Sequence, residues 1–347
     1  MKKRLPKKIL AAFLAAMMVV TSVPFSAITA FAANGYVDVA TDEKVQAVET
    51  AEEKRQAPED KKTITTELNE SAISVFHMYN GKFYDEPSTQ PGTVERLDYT
   101  TSVYGDTLNQ WANVYLPYGY DATNQYNIIY FTHGANEMQD SFIGDEKVKN
   151  AIDNMIEVGV AEPFILVCPT YYYDYENRAV DFDLFVTEVR QDLMPAVESK
   201  YATYAETADD AGFSASRTHR CFAGYSQGSK MCWNISYNMY DWAKWFCPFS
   251  GVDQRELPLN MVSIHNAMEK YSEYKDDIFY YIALGGKRDV AYEGMMGMIQ
   301  LFLEDEAFSF GTDPQENNFY ASVSNEIHQT LKARYFFYNA FKDVLFK

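Results

Sequence analysis

The sequence predicts an α/β architecture: a mostly parallel central sheet with helices on both faces. Three observations predict it. From residue 128 onward, short continuous apolar runs alternate with longer helical patterns, as expected of strands buried on both sides. Two alternating, half-exposed segments precede them and read as antiparallel strands. The composition is that of a folded chain: 347 residues, 47% hydrophobic, 23% charged and 16% aromatic, with no internal repeat.

In chain order, residues 1–32 read as a secretory signal peptide. Lys2, Lys3, Arg4, Lys7 and Lys8 precede an apolar run over 9–20, followed by Pro24 and the small-residue site Ala30-Phe31-Ala32. A core of that length is too short to span a bilayer, so the expectation is export without a retained anchor. Residues 33–70 read as an acidic, disordered spacer. Residues 41–70 hold nine acids, five bases and no aromatic residue, too little apolar surface to offset the ordering entropy. Only four of the 27 Tyr, 23 Phe and 4 Trp precede residue 71, so residues 71–347 are expected to form one catalytic domain.

Within that domain, strands are expected over 94–101, 112–116, 128–132, 164–168, 220–223, 245–249, 279–284 and 319–323. Helices are expected over 148–157, 182–201, 228–239, 260–271, 293–304 and 329–345. With 30 Lys+Arg against 49 Asp+Glu, the net charge of −19 argues strongly against nucleic acid or anionic lipid as the partner. Cys168, Cys221, Cys232 and Cys247 sit in apolar segments at spacings that match no zinc site, which favours buried thiols.

The sharpest chemical signal is Gly224-Tyr225-Ser226-Gln227-Gly228, between an apolar strand and a helical pattern. A strand, G-x-S-x-G and a helix together form a nucleophile elbow, a turn so tight that the positions two before and two after the serine must be small. A serine nucleophile needs a base, and in this arrangement the order along the chain is serine, acid, histidine. Of five histidines only His265 and His328 follow Ser226. His265 lies inside a helical stretch, whereas His328 falls in a loop after a strand, so His328 is the expected base. Asp289, after the strand over 279–284 and the turn Gly285-Gly286-Lys287-Arg288, is the expected orienting acid. Asp253, after the preceding strand, is its rival, and Asp276 and Asp277 lie at the wrong end of theirs. The oxyanion hole is expected from the N–H of Gln227 and, in the loop Thr132-His133-Gly134-Ala135-Asn136, that of Ala135. His133 is expected to pin that loop.

Assembled, these residues resemble carbohydrate esterase family 1, the feruloyl and acetylxylan esterases of the α/β-hydrolase superfamily. Further matches are the stretches 92–99 and 112–120, the run around Asp289, and the helix 333–340. The resemblance implies a secreted serine esterase that removes acyl groups, feruloyl above all, from plant cell-wall polysaccharide such as xylan. Two departures stand out: Gln227 follows the nucleophile where methionine is usual, and HGANE replaces a glycine-rich loop. Tyr171, Tyr172 and Tyr173 follow a strand at the same edge and are expected to stack on a feruloyl group or a sugar face. No metal ligand set, phosphate loop or cofactor fingerprint is present in the sequence, and serine hydrolysis needs no cofactor. The alternatives are an acetylxylan or small-ester esterase, an acyltransferase of the same fold, and a non-catalytic carbohydrate-binding protein.

Overall fold

The computed structural model describes residues 63–65, 75–77, 79–252 and 257–347. Its strands are β1 (Thr63–Thr65), β2 (Val75–His77), β3 (Thr93–Thr101), β4 (Leu108–Leu116), β5 (Asn127–Thr132), β6 (Phe164–Cys168), β7 (Tyr172–Asp174), β8 (Ala179–Val180), β9 (Arg220–Tyr225), β10 (Trp245–Phe249), β11 (Phe279–Leu284) and β12 (Phe319–Val323). Eight of them form the central sheet in the order β12-β11-β10-β9-β5-β6-β4-β3. The six from β12 to β6 are parallel, and β4 and β3 add an antiparallel edge. All residues of β5, β6, β9, β10 and β11 are buried, which is why they read as unbroken apolar runs.

Successive side chains point to opposite faces and build two cores. On one face Tyr130, Phe222, Phe246 and Tyr280 form an aromatic row across four strands, with neighbouring centroids 5.2, 6.5 and 5.5 Å apart. On the other lie Ile129, Cys221, Cys247 and Tyr281. Two helices cover this second face, α1 (Glu146–Glu157) through Val148, Ile152 and Met155, and α6 (Ala333–Asp343) through Phe336, Phe337 and Phe341. The first face is covered by α2 (Phe182–Glu188), α3 (Gln227–Ser236), α4 (Leu257–Lys270) and α5 (Tyr292–Glu304). Truncating a ring of the aromatic row, such as Phe222→Ala, costs about 3–5 kcal/mol. All four cysteines are buried free thiols, with Cys221 and Cys247 Sγ 3.6 Å apart.

Departures from the expected elements have local causes. The helix expected over 182–201 is broken by a widened turn at Val189–Leu193 before resuming at Met194–Glu198. Pro195 has no N–H to continue the ladder, and its ring crowds the preceding turn. Strand β1 lies inside the stretch read as a spacer and pairs antiparallel with β2, so the spacer reading fails for those three residues. The short β7–β8 pair carries too few residues for a periodic signal. The leader expected over 1–32 and the rest of residues 33–70 lie outside the described residues. No helix among the described residues is long and apolar enough to cross a membrane.

Candidate active site

Strand β9 runs directly into Ser226, whose backbone sits at φ 57° and ψ −114°, a conformation that L-residues rarely adopt. Two things hold it there. The Ser226 N–H donates to the Phe249 carbonyl at 2.9 Å, carrying the β9–β10 ladder one residue past the strand. The surroundings also leave no room for side chains: a Cβ on Gly224 would lie 2.1 Å from the Gly228 carbonyl oxygen, one on Gly228 would lie 2.1 Å from that of Thr132, and one on Gly251 would lie 2.0 Å from that of Ser226 itself. The hydroxyl therefore projects over the carboxyl edge of the sheet while α3 departs behind it.

The Ser226 hydroxyl lies 2.8 Å from His328 Nε2, and His328 Nδ1 lies 2.6 Å from Asp289 Oδ1. Asp289 is buried, and two N–H groups of its own loop donate to it: that of Gly285 to Oδ2 at 3.0 Å and that of Ala291 to Oδ1 at 2.8 Å. Burial opposes ionisation of Asp289, but hydrogen bonds from His328, the Ala291 N–H and Ser250 outweigh it and hold the carboxyl below the usual range. An ionised carboxylate only accepts, which assigns the proton to Nδ1 and leaves Nε2 free to accept the serine proton. Tyr225, buried beside the nucleophile, accepts the Gln329 N–H at 2.7 Å and packs its ring against the imidazole with centroids 5.1 Å apart. The histidine loop is thus tied to the elbow.

The second loop of the site follows β5. His133 is buried, with Nδ1 2.8 Å from the Gly134 carbonyl oxygen and Nε2 2.7 Å from Thr170 Oγ1; burial pushes its imidazole down to about 4. It is neutral at pH 7 and belongs to the loop's frame. Glu137 accepts the Gly134 N–H at 2.8 Å, and Tyr172 Oη accepts the Asn136 N–H at 2.9 Å.

The three residues Ser226, Asp289 and His328 are therefore brought together, and Gln227 opens the helix immediately after the serine. His265 instead pairs with Asp305 at 2.6 Å on the exposed side of α4, and Asp277 pairs with Arg217 and Lys244 at the opposite edge. Asp253 lies outside the described residues. The stacking role expected for Tyr171 and Tyr172 is not met. Their exposures are 0% and 2%, and both rings pack on His133, leaving no free face for a ligand. Tyr173 is half-buried and stacks on Tyr104 at 4.6 Å. Sequence reasoning missed Tyr225, Ser250, Thr170, Asn136 and Arg178, whose partners are set by distant loops, and Glu137, which closes its own turn on the Gly134 N–H. It also passed over Val290, an apolar side chain 83% exposed on the loop of Asp289.

A serine hydroxyl, an imidazole and a buried carboxylate in series, at the carboxyl edge of such a sheet, define a serine carboxylic-ester hydrolase of the α/β-hydrolase fold. Residues 109–230 match the family model named Esterase. The chain is 34% identical over 261 residues to endo-1,4-beta-xylanase Y of Acetivibrio thermocellus, across 74% of this chain and 23% of that protein. It is 26% identical over 147 residues to an endo-1,4-beta-xylanase/feruloyl esterase of Xylanibacter ruminicola, 40% of this chain and 18% of the other. It thus spans a quarter or less of these curated relatives. A feruloyl esterase module from Clostridium thermocellum, solved with sinapinate, superposes with a TM-score of 0.66 at 32% identity, covering 76% of this chain and 91% of that one. A CE1 ferulic acid esterase from Anaeromyces mucronatus shares the fold at TM-score 0.56 and 17% identity, over 76% of this chain and 94% of that one. The chain belongs to carbohydrate esterase family 1, together with the feruloyl esterases.

Proposed function

We propose that this chain hydrolyses hydroxycinnamoyl esters, feruloyl above all, attached to plant cell-wall polysaccharide such as xylan. The single observation that carries the reading is the Ser226–His328–Asp289 chain of hydrogen bonds in a chain 32% identical, across 76% of its length and 91% of the other's, to a feruloyl esterase module solved with sinapinate. The xylanase names of the curated relatives support a polysaccharide as the alcohol side of the ester.

Ser226 Oγ attacks the ester carbonyl carbon and its proton passes to His328 Nε2. Asp289 holds the Nδ1–H tautomer and stabilises the imidazolium. The N–H groups of Gln227 and Ala135 receive the oxyanion, each worth about 3 kcal/mol to the transition state. Collapse expels the sugar hydroxyl, protonated by His328, and leaves an acyl-serine. Water, deprotonated by the same imidazole, then releases the acid. No step calls for a metal or cofactor.

The basic and apolar pattern of residues 1–32 supports export, and residues 33–70 are proposed as a tether apart from Thr63–Thr65, ahead of an esterase domain over 71–347. Side-by-side assays on methyl ferulate and acetylated xylan test the substrate. Higher kcat/KM on the ferulate is expected; preference for acetylated xylan would transfer the chain to the acetyl esterases.

A further inference from the structure

The loop that carries the Ala135 donor is shaped by side chains, and one of them is the tyrosine that sequence reasoning assigned to substrate. Residues 134–137 form a tight turn: the Glu137 N–H donates to the Gly134 carbonyl at 3.3 Å, and Asn136 occupies the left-handed region at φ 65°. A turn of this kind satisfies its last N–H and leaves the two central ones pointing outward. Of the three successive N–H groups at Gly134, Ala135 and Asn136, the first is taken by Glu137 and the third by Tyr172 Oη. Among the described residues, only that of Ala135 is left uncommitted.

Tyr172 is well placed to act as a fixed post. Its ring is 2% exposed, wedged between His133 and Tyr171 with centroids 5.3 and 4.9 Å away, so its hydroxyl cannot swing. Arg178, on the exposed turn between β7 and β8, donates to Asn136 Oδ1 at 2.7 Å and grips the same residue by its side chain. We propose that Tyr172, supported by Arg178, is a positioning residue for the oxyanion hole, holding Asn136 so that the Ala135 N–H alone faces the reacting carbonyl. This inference rests on the reading of Ser226 as nucleophile and Ala135 as donor. It also supplies what the missing glycines of this loop would otherwise provide, a defined backbone path.

The decisive variant is Tyr172→Phe, which keeps the ring and removes only the hydroxyl. A misdirected oxyanion donor costs rate rather than binding, so kcat should fall about tenfold while KM stays within about twofold. The loss should be equal on methyl ferulate and on an acetyl ester, because the hole touches the carbonyl common to both. Phosphonylation of Ser226 by a fluorophosphonate should slow by the same factor, since its P–O⁻ uses the same donor. Wild-type kcat and phosphonylation rate in a folded Tyr172→Phe would overturn the proposal. A loss confined to the KM of feruloyl esters would overturn it too, returning the ring to substrate contact. If that variant does not fold, Arg178→Ala at the surface carries the test: a kcat loss of about threefold, partly restored in Arg178→Lys, supports the proposal, and no loss overturns it. Ser226→Ala in the same assays separates the two readings. If it stays active, the serine mechanism itself fails; if it is dead while Tyr172→Phe is normal, only the positioning role fails.

Discussion

The elbow at residues 224–228 and the loop at 133–137, proposed to carry the second oxyanion donor, stand side by side over the carboxyl ends of the neighbouring strands β9 and β5, and are held by opposite means. The elbow is held by the absence of atoms: Gly224, Gly228 and Gly251 each leave a space in which a Cβ would meet backbone at 2.0–2.1 Å. The oxyanion loop is held by added groups, the carboxylate of Glu137, the hydroxyl of Tyr172 and the guanidinium of Arg178. A Cβ on Gly134 would meet only the side-chain ends of Thr330 and Glu137, at 2.9 and 3.0 Å. Backbone walls cannot move, whereas side-chain ends can. The first loop should therefore fail abruptly on substitution and the second by degrees.

The largest expected effect belongs to the elbow. Ser226→Ala should lower kcat by about 10⁶-fold with thermal stability nearly unchanged, because the turn accepts a small side chain. Steady-state turnover of methyl ferulate beside a melting curve checks both halves. Next comes the acid: Asp289→Asn should cost about 10⁴-fold in kcat through the wrong imidazole tautomer, and Asp253→Asn far less. The reverse ranking would move the acid to the loop after β10.

Third, Gly224→Ala should destabilise by about 3 kcal/mol or more through forced backbone displacement, and Gly134→Ala by about 1 kcal/mol, since its neighbours can rotate aside. Chemical denaturation of the two variants measures the contrast directly; equal losses would erase the distinction between the loops.

What was legible in the sequence follows from the same contrast. The elbow announces itself within five residues, because its constraint is local, and the strands over 164–168, 245–249 and 279–284 were readable to the residue because burial on both faces leaves no polar interruption. The positions of His328 and Asp289 followed from strand ends and chain order. The oxyanion loop's supports were not legible. Tyr172 and Arg178 lie 36 and 42 residues from Asn136, and nothing in a run of tyrosines says which hydroxyl will meet which N–H. Aromatic residues near a site invite a substrate role by type alone, and burial decides against it for Tyr171 and Tyr172. The break at Val189–Leu193 went unread in the helix expected over 182–201, and Glu188, just before it, is buried against Tyr99 and Tyr104 from the β3–β4 region.

Near the side-chain-built region, one buried glutamate adds a pH dependence. Glu188 accepts from the hydroxyls of Tyr99 and Tyr104, both at 2.6 Å, and Tyr104 stacks on Tyr173, next to Tyr172. Burial raises its carboxyl to about 7, against the lowering effect of those two hydroxyls. A carboxyl raised in the folded state favours the fold most when protonated. Its contribution is therefore fully present below the unfolded value near 4.5 and is lost as pH climbs through 7. Melting curves from pH 5 to 8 should show this decline, and Glu188→Gln should flatten it; an unchanged slope would remove Glu188 as its source.

The smallest effect concerns the N-terminal stretch. A chain beginning at Ser71 retains β2, whose His77 N–H is held by Asn339 on α6 at 2.5 Å, and loses only β1 from the described structure. Its kcat/KM on a small soluble ester should match that of the longer protein within about twofold, since every residue of the site lies beyond Gly92. A larger loss would make the acidic stretch part of the active domain.

Whether Ser226 is the nucleophile poised by His328 and Asp289 is decided by locating the covalent adduct. The protein treated with a fluorophosphonate should carry one equivalent of label, found by peptide mass spectrometry on Ser226, with none on Ser226→Ala and greatly slowed labelling in His328→Ala. An unlabelled protein, or an adduct on another residue, would contradict it.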